Sequence, residues 1–251
     1  MDSLRQEFSI LPNLRSDLYS NITAHLTSTQ IGRLAMINPT MKKIVEQQTL
    51  PSLEEYIITD IRQIPQLKHM KFLKQLTLKQ GNLFKIIKNL NKKAIDVFAK
   101  YLFRLGKLRI LNLSNNRLGI DGMKILAPSL RKLFQLRRLD LNNNELNKIG
   151  NIGGIRALTF CLEQLVHLRE LNLTGNQIDR NGIALLASSL KNLKQLQYLY
   201  IGANNIGSVG MISFAPVLEE LIHLQRLNIS DNKIQVEGMA LLRPSLERLT
   251  N

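Results

Sequence analysis

One spacing constrains the fold of this 251-residue chain more than any other feature. The pattern L-x-x-L-x-L-x-x-N-x-[L/I] occurs five times, as LRILNLSNNRL, LRRLDLNNNEL, LRELNLTGNQI, LQYLYIGANNI and LQRLNISDNKI. Its asparagines are Asn116, Asn144, Asn176, Asn204 and Asn232, at steps of 28, 32, 28 and 28 residues. A fixed period of this size means stacked units that bury their apolar faces against one another. Within each unit the alternating Leu, Leu and Leu or Ile predict a short strand with those side chains inward. The asparagine follows where the chain turns away, and its amide both donates and accepts. Stacked turn on turn, it is expected to satisfy backbone groups that a buried bend would leave unpaired.

Six residues beyond the asparagine stands a glycine, at Gly122, Gly182, Gly210 and Gly238, with Gly154 displaced by four extra residues around NKIGNIGG. Each is expected to open a segment such as GIALLASSLKNL, whose apolar spacing is that of a helix face. A column in these helices is small, with Ala127, Thr159, Ala187 and Ala215, which predicts close packing between neighbouring units. Arg243 takes that place in the last repeat, so the solenoid is expected to end near Asn251 with this helix as its cap. Pro128, Pro216 and Pro244 share the next column and predict a kink or a fresh start there. Upstream, FLKQLTLKQG reads as a degenerate strand and AIDVFAKYLFRL as its helix, with another partial unit somewhere within 53–72.

These motifs resemble the leucine-rich repeat, and the length of about 28 residues is similar to the ribonuclease-inhibitor type. The resemblance implies an α/β solenoid, with a curved parallel sheet on the concave side and helices on the convex side. Residues 51–251 then form the repeat domain, of about six repeats, five of them regular from 108 onward. Residues 1–50 form an α-helical amino-terminal cap, covering an edge that would otherwise invite aggregation.

The run DLYSNITAHLTSTQIGRLAMINPTMKKIV within that cap is similar to an F-box, the module that docks on the Skp1 adaptor of cullin ubiquitin ligases. Leu18, Ile22, Leu26, Ile31 and Leu34 keep the family's spacing after Asp17, and Met41 takes a position usually aromatic. Leu11-Pro12 stands three residues too far away, and Asn38-Pro39-Thr40 replaces the usual small-plus-basic stretch. The resemblance implies Skp1 docking, with the repeats as a substrate receptor; the same positions equally suit an ordinary helical cap. Short chains joining such a segment to repeats also resemble secreted effectors of intracellular bacteria. A host protein or another bacterial effector would then be the partner, and the host cytosol the destination.

Charge narrows the partner class. The net charge of +15 is concentrated in residues 51–100 and 101–150, at +6 and +7, against +1, +2 and −1 in the other blocks. Lysines are dense from Lys68 to Lys93, a pattern of either an acidic partner or a solvated face. Nucleic acid is the rival class, but motif-spaced aromatics and a recognition helix are absent, and 5% aromatic residues leaves little for base stacking. One cysteine, Cys161, fits a reducing compartment such as the cytosol. The start, MDSLRQEFSILPNL, lacks the basic and apolar segments of a secretory signal, and no apolar run is long enough to span a bilayer.

Catalytic chemistry finds no support. His167 and His223 lie two repeats apart at equivalent positions, which is a repeat echo. His25 and His69 have no partners at metal-ligand spacing, and Cys161 falls in a buried helix column. No enzyme, cofactor or metal is expected. The candidate surface is therefore the concave face. Its outward columns run Ile110, Arg138, Glu170, Tyr198, Arg226 and Asn112, Asp140, Asn172, Tyr200, Asn228. Tyrosine and arginine are the residues that most often dominate protein interfaces, and only LQYLYIGANNI puts rings in both columns. The expectation is a non-catalytic module gripping a protein partner, and the ribonuclease-inhibitor resemblance implies inhibition of a partner enzyme by covering its active site.

Overall fold

In the computed structural model, the residues described are 55–58, 67, 73–78, 88–148 and 150–249. The F-box-like positions Leu18, Ile22, Leu26, Ile31, Leu34 and Met41 lie outside them, as does most of the lysine-rich stretch.

Among the described residues, seven strands form one parallel sheet in strict sequence order. They are β1 (Glu55–Ile58), β2 (Gln75–Leu78), β3 (Ile110–Asn112), β4 (Arg138–Asp140), β5 (Glu170–Asn172), β6 (Tyr198–Tyr200) and β7 (Arg226–Asn228). Helices return the chain from one strand to the next: α1 (Lys88–Leu102), α2 (Gly119–Leu130), α3 (Gly153–Leu162), α4 (Arg180–Leu190), α5 (Gly207–Glu220) and, after β7, α6 (Val236–Leu249). Each helix packs on the next. The degenerate strand expected in 72–81 is β2, and the unplaced partial unit upstream supplies β1. The core between the layers is the repeat's leucine set, such as Leu111, Leu139, Leu171 and Leu199, all with no exposed surface.

The asparagine ladder is present and directional. Asn176 shows it whole: its Oδ1 accepts from Asn144 N at 3.1 Å and Leu146 N at 3.3 Å in the preceding repeat. Its Nδ2 donates back to Leu141 O at 2.9 Å, and to Leu173 O and Thr174 O of its own turn. Asn144 and Asn204 repeat the pattern on their neighbours. On either side of the ladder the backbone enters the left-handed region, at Asn115 and Arg117, Asn143 and Glu145, Gly175 and Gln177, Asp231 and Lys233. Non-glycine residues there cost about 1–2 kcal/mol each, so the buried hydrogen bonds hold the turn against that cost.

Two expectations are corrected. The glycines six residues past the asparagine do not open the helices; they lie within the first turn, since α2 begins at Gly119 and α5 at Gly207. Their role is close packing, both within their own turn and against the preceding repeat. A Cβ on Gly122 would stand 3.1 Å from the Ile95 side chain, and one on Gly210 would stand 2.9 Å from Ile183. On Gly154 it would fall on the Leu146 carbonyl oxygen. The prolines do not interrupt the helices either, because α2, α5 and α6 run through Pro128, Pro216 and Pro244. All three are exposed, as are Lys124, Ile212 and Ala240 four residues earlier, so the missing donor falls on the solvent side.

The small column is buried at Ala127, Thr159, Ala187 and Ala215. Arg243, in the same column, is exposed and bonds Glu247 at 2.7 Å. On α6 and β7 the packing is looser: Leu227 is only partly buried and Met239 and Leu241 are exposed.

Replacing Asn176 by Ala removes five hydrogen bonds and strands buried backbone groups in two repeats. The expected loss of stability is at least about 3 kcal/mol, read as a lower urea midpoint. Asn181→Ala, on the exposed surface of α4, should change it by less than about 0.5 kcal/mol.

Candidate partner-binding face

Residue-for-residue pairing from β2 to β7 turns equivalent positions into straight columns across the sheet. The first outward column is Ile110, Arg138, Glu170, Tyr198 and Arg226, and its last four members interact in pairs. Arg138 Nε lies 3.3 Å from Glu170 Oε1. The Arg226 guanidinium sits 5.9 Å from the centre of the Tyr198 ring, while Tyr198 Oη donates to Gln225 Oε1 at 3.0 Å. Tyr198 is thus partly buried and held at both ring and hydroxyl by the next repeat.

The second column behaves differently. Asn112, Asn172 and Asn228 turn their Oδ1 onto backbone N–H groups two residues on, those of Ser114, Thr174 and Ser230, at 2.9, 3.1 and 2.9 Å. Asp140 does the same with Asn142 N and Nδ2, both at 3.0 Å. Asp140 is also only 6% exposed, so it forms part of the floor of the face and does not reach out from it. Such bonds close the strand end in the manner of an Asx turn. A phenol at position 200 cannot close it so. Gly202 follows, and a Cβ there would stand 2.8 Å from Asn228 Oδ1 and 3.1 Å from Ser230 Oγ. Tyr200 therefore stands in the column otherwise committed to closing strands, above a position kept bare by its neighbour. Sequence reading identified the two rings but not Gln225, whose clasp on Tyr198 crosses repeats.

Among the described residues no cluster of three His, Cys, Asp or Glu side chains is placed to hold a metal ion. Cys161 has no exposed surface, and its thiol donates to Leu158 O at 3.1 Å. Burial pushes the thiol up from 9.0 to about 12, so thiolate is scarce at neutral pH. His167 and His223 are exposed on separate repeats. On the helix side, Lys194 pairs with Glu220 and holds that carboxyl below its ordinary range. No helix among the described residues is long and apolar enough to cross a membrane.

Comparison with known proteins agrees with this architecture. Residues 164–187, 193–215 and 220–242 match one leucine-rich repeat family model, and residues 107–133 match a second. The chain is a leucine-rich-repeat solenoid, an architecture that presents extended concave surfaces for protein binding. The Caenorhabditis elegans tropomodulin C-terminal domain is similar at 16% identity and TM-score 0.42, over 76% of this chain and 94% of that one. A Bacteroides fragilis protein is 16% identical with TM-score 0.45, over 81% and 66%. A leucine-rich-repeat protein of Leptospira interrogans is 21% identical with TM-score 0.33, over 73% and 55%. No curated protein matches the chain.

The Cys161 thiol should resist a thiol reagent at about pH 8 in the folded protein and react at once in urea. Its folded value exceeds the unfolded one, so its contribution to stability is complete below pH 9.0 and declines as pH rises towards about 12. The difference in urea midpoint between wild type and Cys161→Ala across that window reads this directly, and a pH-independent difference would contradict it.

Proposed function

We propose that this chain is a non-catalytic interaction module that binds a protein partner across its concave face, with Tyr198 and Tyr200 at the centre of the contact. The observation that carries the reading is the pair of rings on β6. The β4 and β5 rungs spend the first position on the Arg138–Glu170 pair, and β3, β4, β5 and β7 spend the second on strand closure; this rung presents two large rings. Tyr198 is fixed in advance by Gln225 and Arg226, which lowers the entropy lost on binding. Ring and guanidinium side by side is the composition of an interface hot spot.

The finer form of the proposal is steric inhibition. Six strands from β2 to β7, spaced about 4.8 Å apart, give an arc about 24 Å across, enough to lie over the mouth of an enzyme cleft. Support for this comes from shape and from the ribonuclease-inhibitor resemblance of the repeats. A secreted bacterial effector, or a regulator of one, is the setting suggested by the sequence resemblance.

The test is a double variant, Tyr198→Ala with Tyr200→Ala, measured against a partner isolated by affinity capture on the wild-type chain. Binding should weaken by at least about 30-fold, close to 2 kcal/mol, with an unchanged circular dichroism spectrum and urea midpoint. Unchanged affinity in a folded variant would refute the role given to the rings. Addition of the chain to that partner, if an enzyme, should raise the apparent KM for a large substrate.

A further inference from the structure

The residue just before each strand from β2 to β7 forms a column of its own, running Lys74, Arg109, Arg137, Arg169, Gln197 and Gln225. Its backbone is locked across repeats. Arg109 O accepts from Arg137 N at 2.7 Å and Arg138 N at 3.0 Å. Arg137 O accepts from Arg169 N at 2.7 Å and Glu170 N at 2.9 Å, and Arg169 O from Gln197 N and Tyr198 N at 2.8 and 2.9 Å. Three exposed guanidinium side chains therefore leave the sheet edge in single file at the inter-strand spacing of about 4.8 Å. No carboxylate lies within salt-bridge distance of any of the three among the described residues. Glu170, next in sequence to Arg169, already pairs with Arg138. Like charges side by side on neighbouring strands destabilise a sheet, and among the described residues no ion pair offsets them.

We propose that this arginine row is the docking edge for an acidic segment of a protein partner, laid across the strands beside the concave face. The inference rests on the protein-binding reading above and adds the chemistry of the partner. A file of cations with fixed pitch suits carboxylates presented along one segment, and Arg pairs with them bidentately. Nucleic acid is less well served, because the row contains no ring. The adjacent Tyr198 has Arg226 over its face and Gln225 on its hydroxyl. A bilayer presents a plane of charge, and the row is one residue wide. Gln197 and Gln225 continue the column without charge, so the acidic segment spans the three arginines and stops short of the tyrosine rung. Charge at the edge then speeds encounter, while the rings fix the lifetime of the complex.

The experiment uses the full chain and defined probes: a labelled glutamate-rich peptide, its glutamine counterpart, a short oligothymidylate, and phosphatidylcholine vesicles with and without phosphatidylserine. The glutamate peptide should bind, the glutamine peptide should not, and affinity should fall as salt rises. Arg109→Gln, Arg137→Gln and Arg169→Gln together should weaken that binding about tenfold at low salt, as three exposed ion pairs would. Lys124→Gln, Arg156→Gln and Lys191→Gln, which remove equal charge from the helix side, should change it less than about twofold. Equal loss in both triple variants would overturn the row as the site. Tighter binding of oligothymidylate or phosphatidylserine vesicles through the same three arginines would overturn the acidic protein segment. Failure of the tyrosine pair against a captured partner, with row-dependent peptide binding intact, would remove the concave-face reading alone.

Discussion

The buried asparagine ladder is the constraint on which the rest of this solenoid depends. A strand only three residues long makes few ladder hydrogen bonds, and the chain must leave it through a bend with little room for water. Asn144, Asn176 and Asn204 resolve this by accepting from the preceding repeat and donating to its carbonyls and their own. The bend thereby tolerates paired left-handed residues at Asn143 and Glu145 or at Asp231 and Lys233. It also fixes the register of every repeat against the next. Without that registration the outward side chains would not form columns, and no surface would be shared between repeats.

Registration makes substitution at the surface nearly independent of the core. Leu139, Leu171 and Leu199 have no exposed surface and meet the same needs in each unit. The flanking outward positions hold Arg and Asp, Glu and Asn, or Tyr and Tyr. The second column nevertheless carries a local duty, since Asn112, Asn172 and Asn228 close their own strand ends. Giving up that closure at Tyr200 costs one side chain–backbone hydrogen bond, about 1 kcal/mol. Two rings in adjacent columns offset such a loss readily if they are buried by a partner, because each aromatic side chain removes 150–250 Å² from water. The departure from pattern is thus what a contact site in a repeat protein would show.

What the sequence disclosed, and what it withheld, follows from the range of the interactions. Periods, inward leucines and the ladder are local and repeat, so Asn116 through Asn232 were legible at once, as was the small column of Ala127, Ala187 and Ala215. The roles of Gly122 and Gly210 were misread because a glycine near a helix start resembles a boundary. Its need here comes in part from Ile95 and Ile183 of the preceding repeats, which no local window contains, beside Leu118 and Ile206 of its own turn. The prolines were misread for a related reason: whether Pro128 breaks a helix depends on which side it faces. Asp140 stands in its column, but its near-complete burial and its hydrogen bond from the Asn142 amide are tertiary features. The clasp of Gln225 on Tyr198 was equally invisible, joining residues 27 positions apart.

The arginine row shows most clearly how repetition turns composition into geometry. In the sequence, Arg109, Arg137 and Arg169 are spread over 61 residues and look like part of a general basic excess. Cross-repeat hydrogen bonds to their own carbonyls set them side by side at the sheet edge. A general excess of charge favours solubility and long-range attraction without choosing a partner. A file of guanidinium groups with one pitch does choose, because only a segment with anions along its length meets several of them together. The neutral Gln197 and Gln225 give that file an end, and the end lies at the tyrosine rung. In the proposed complex, charge and aromatic surface stay separate, so that one would govern encounter and the other dissociation. A partner matching both would carry its acidic residues to one side of the apolar patch that covers the rings.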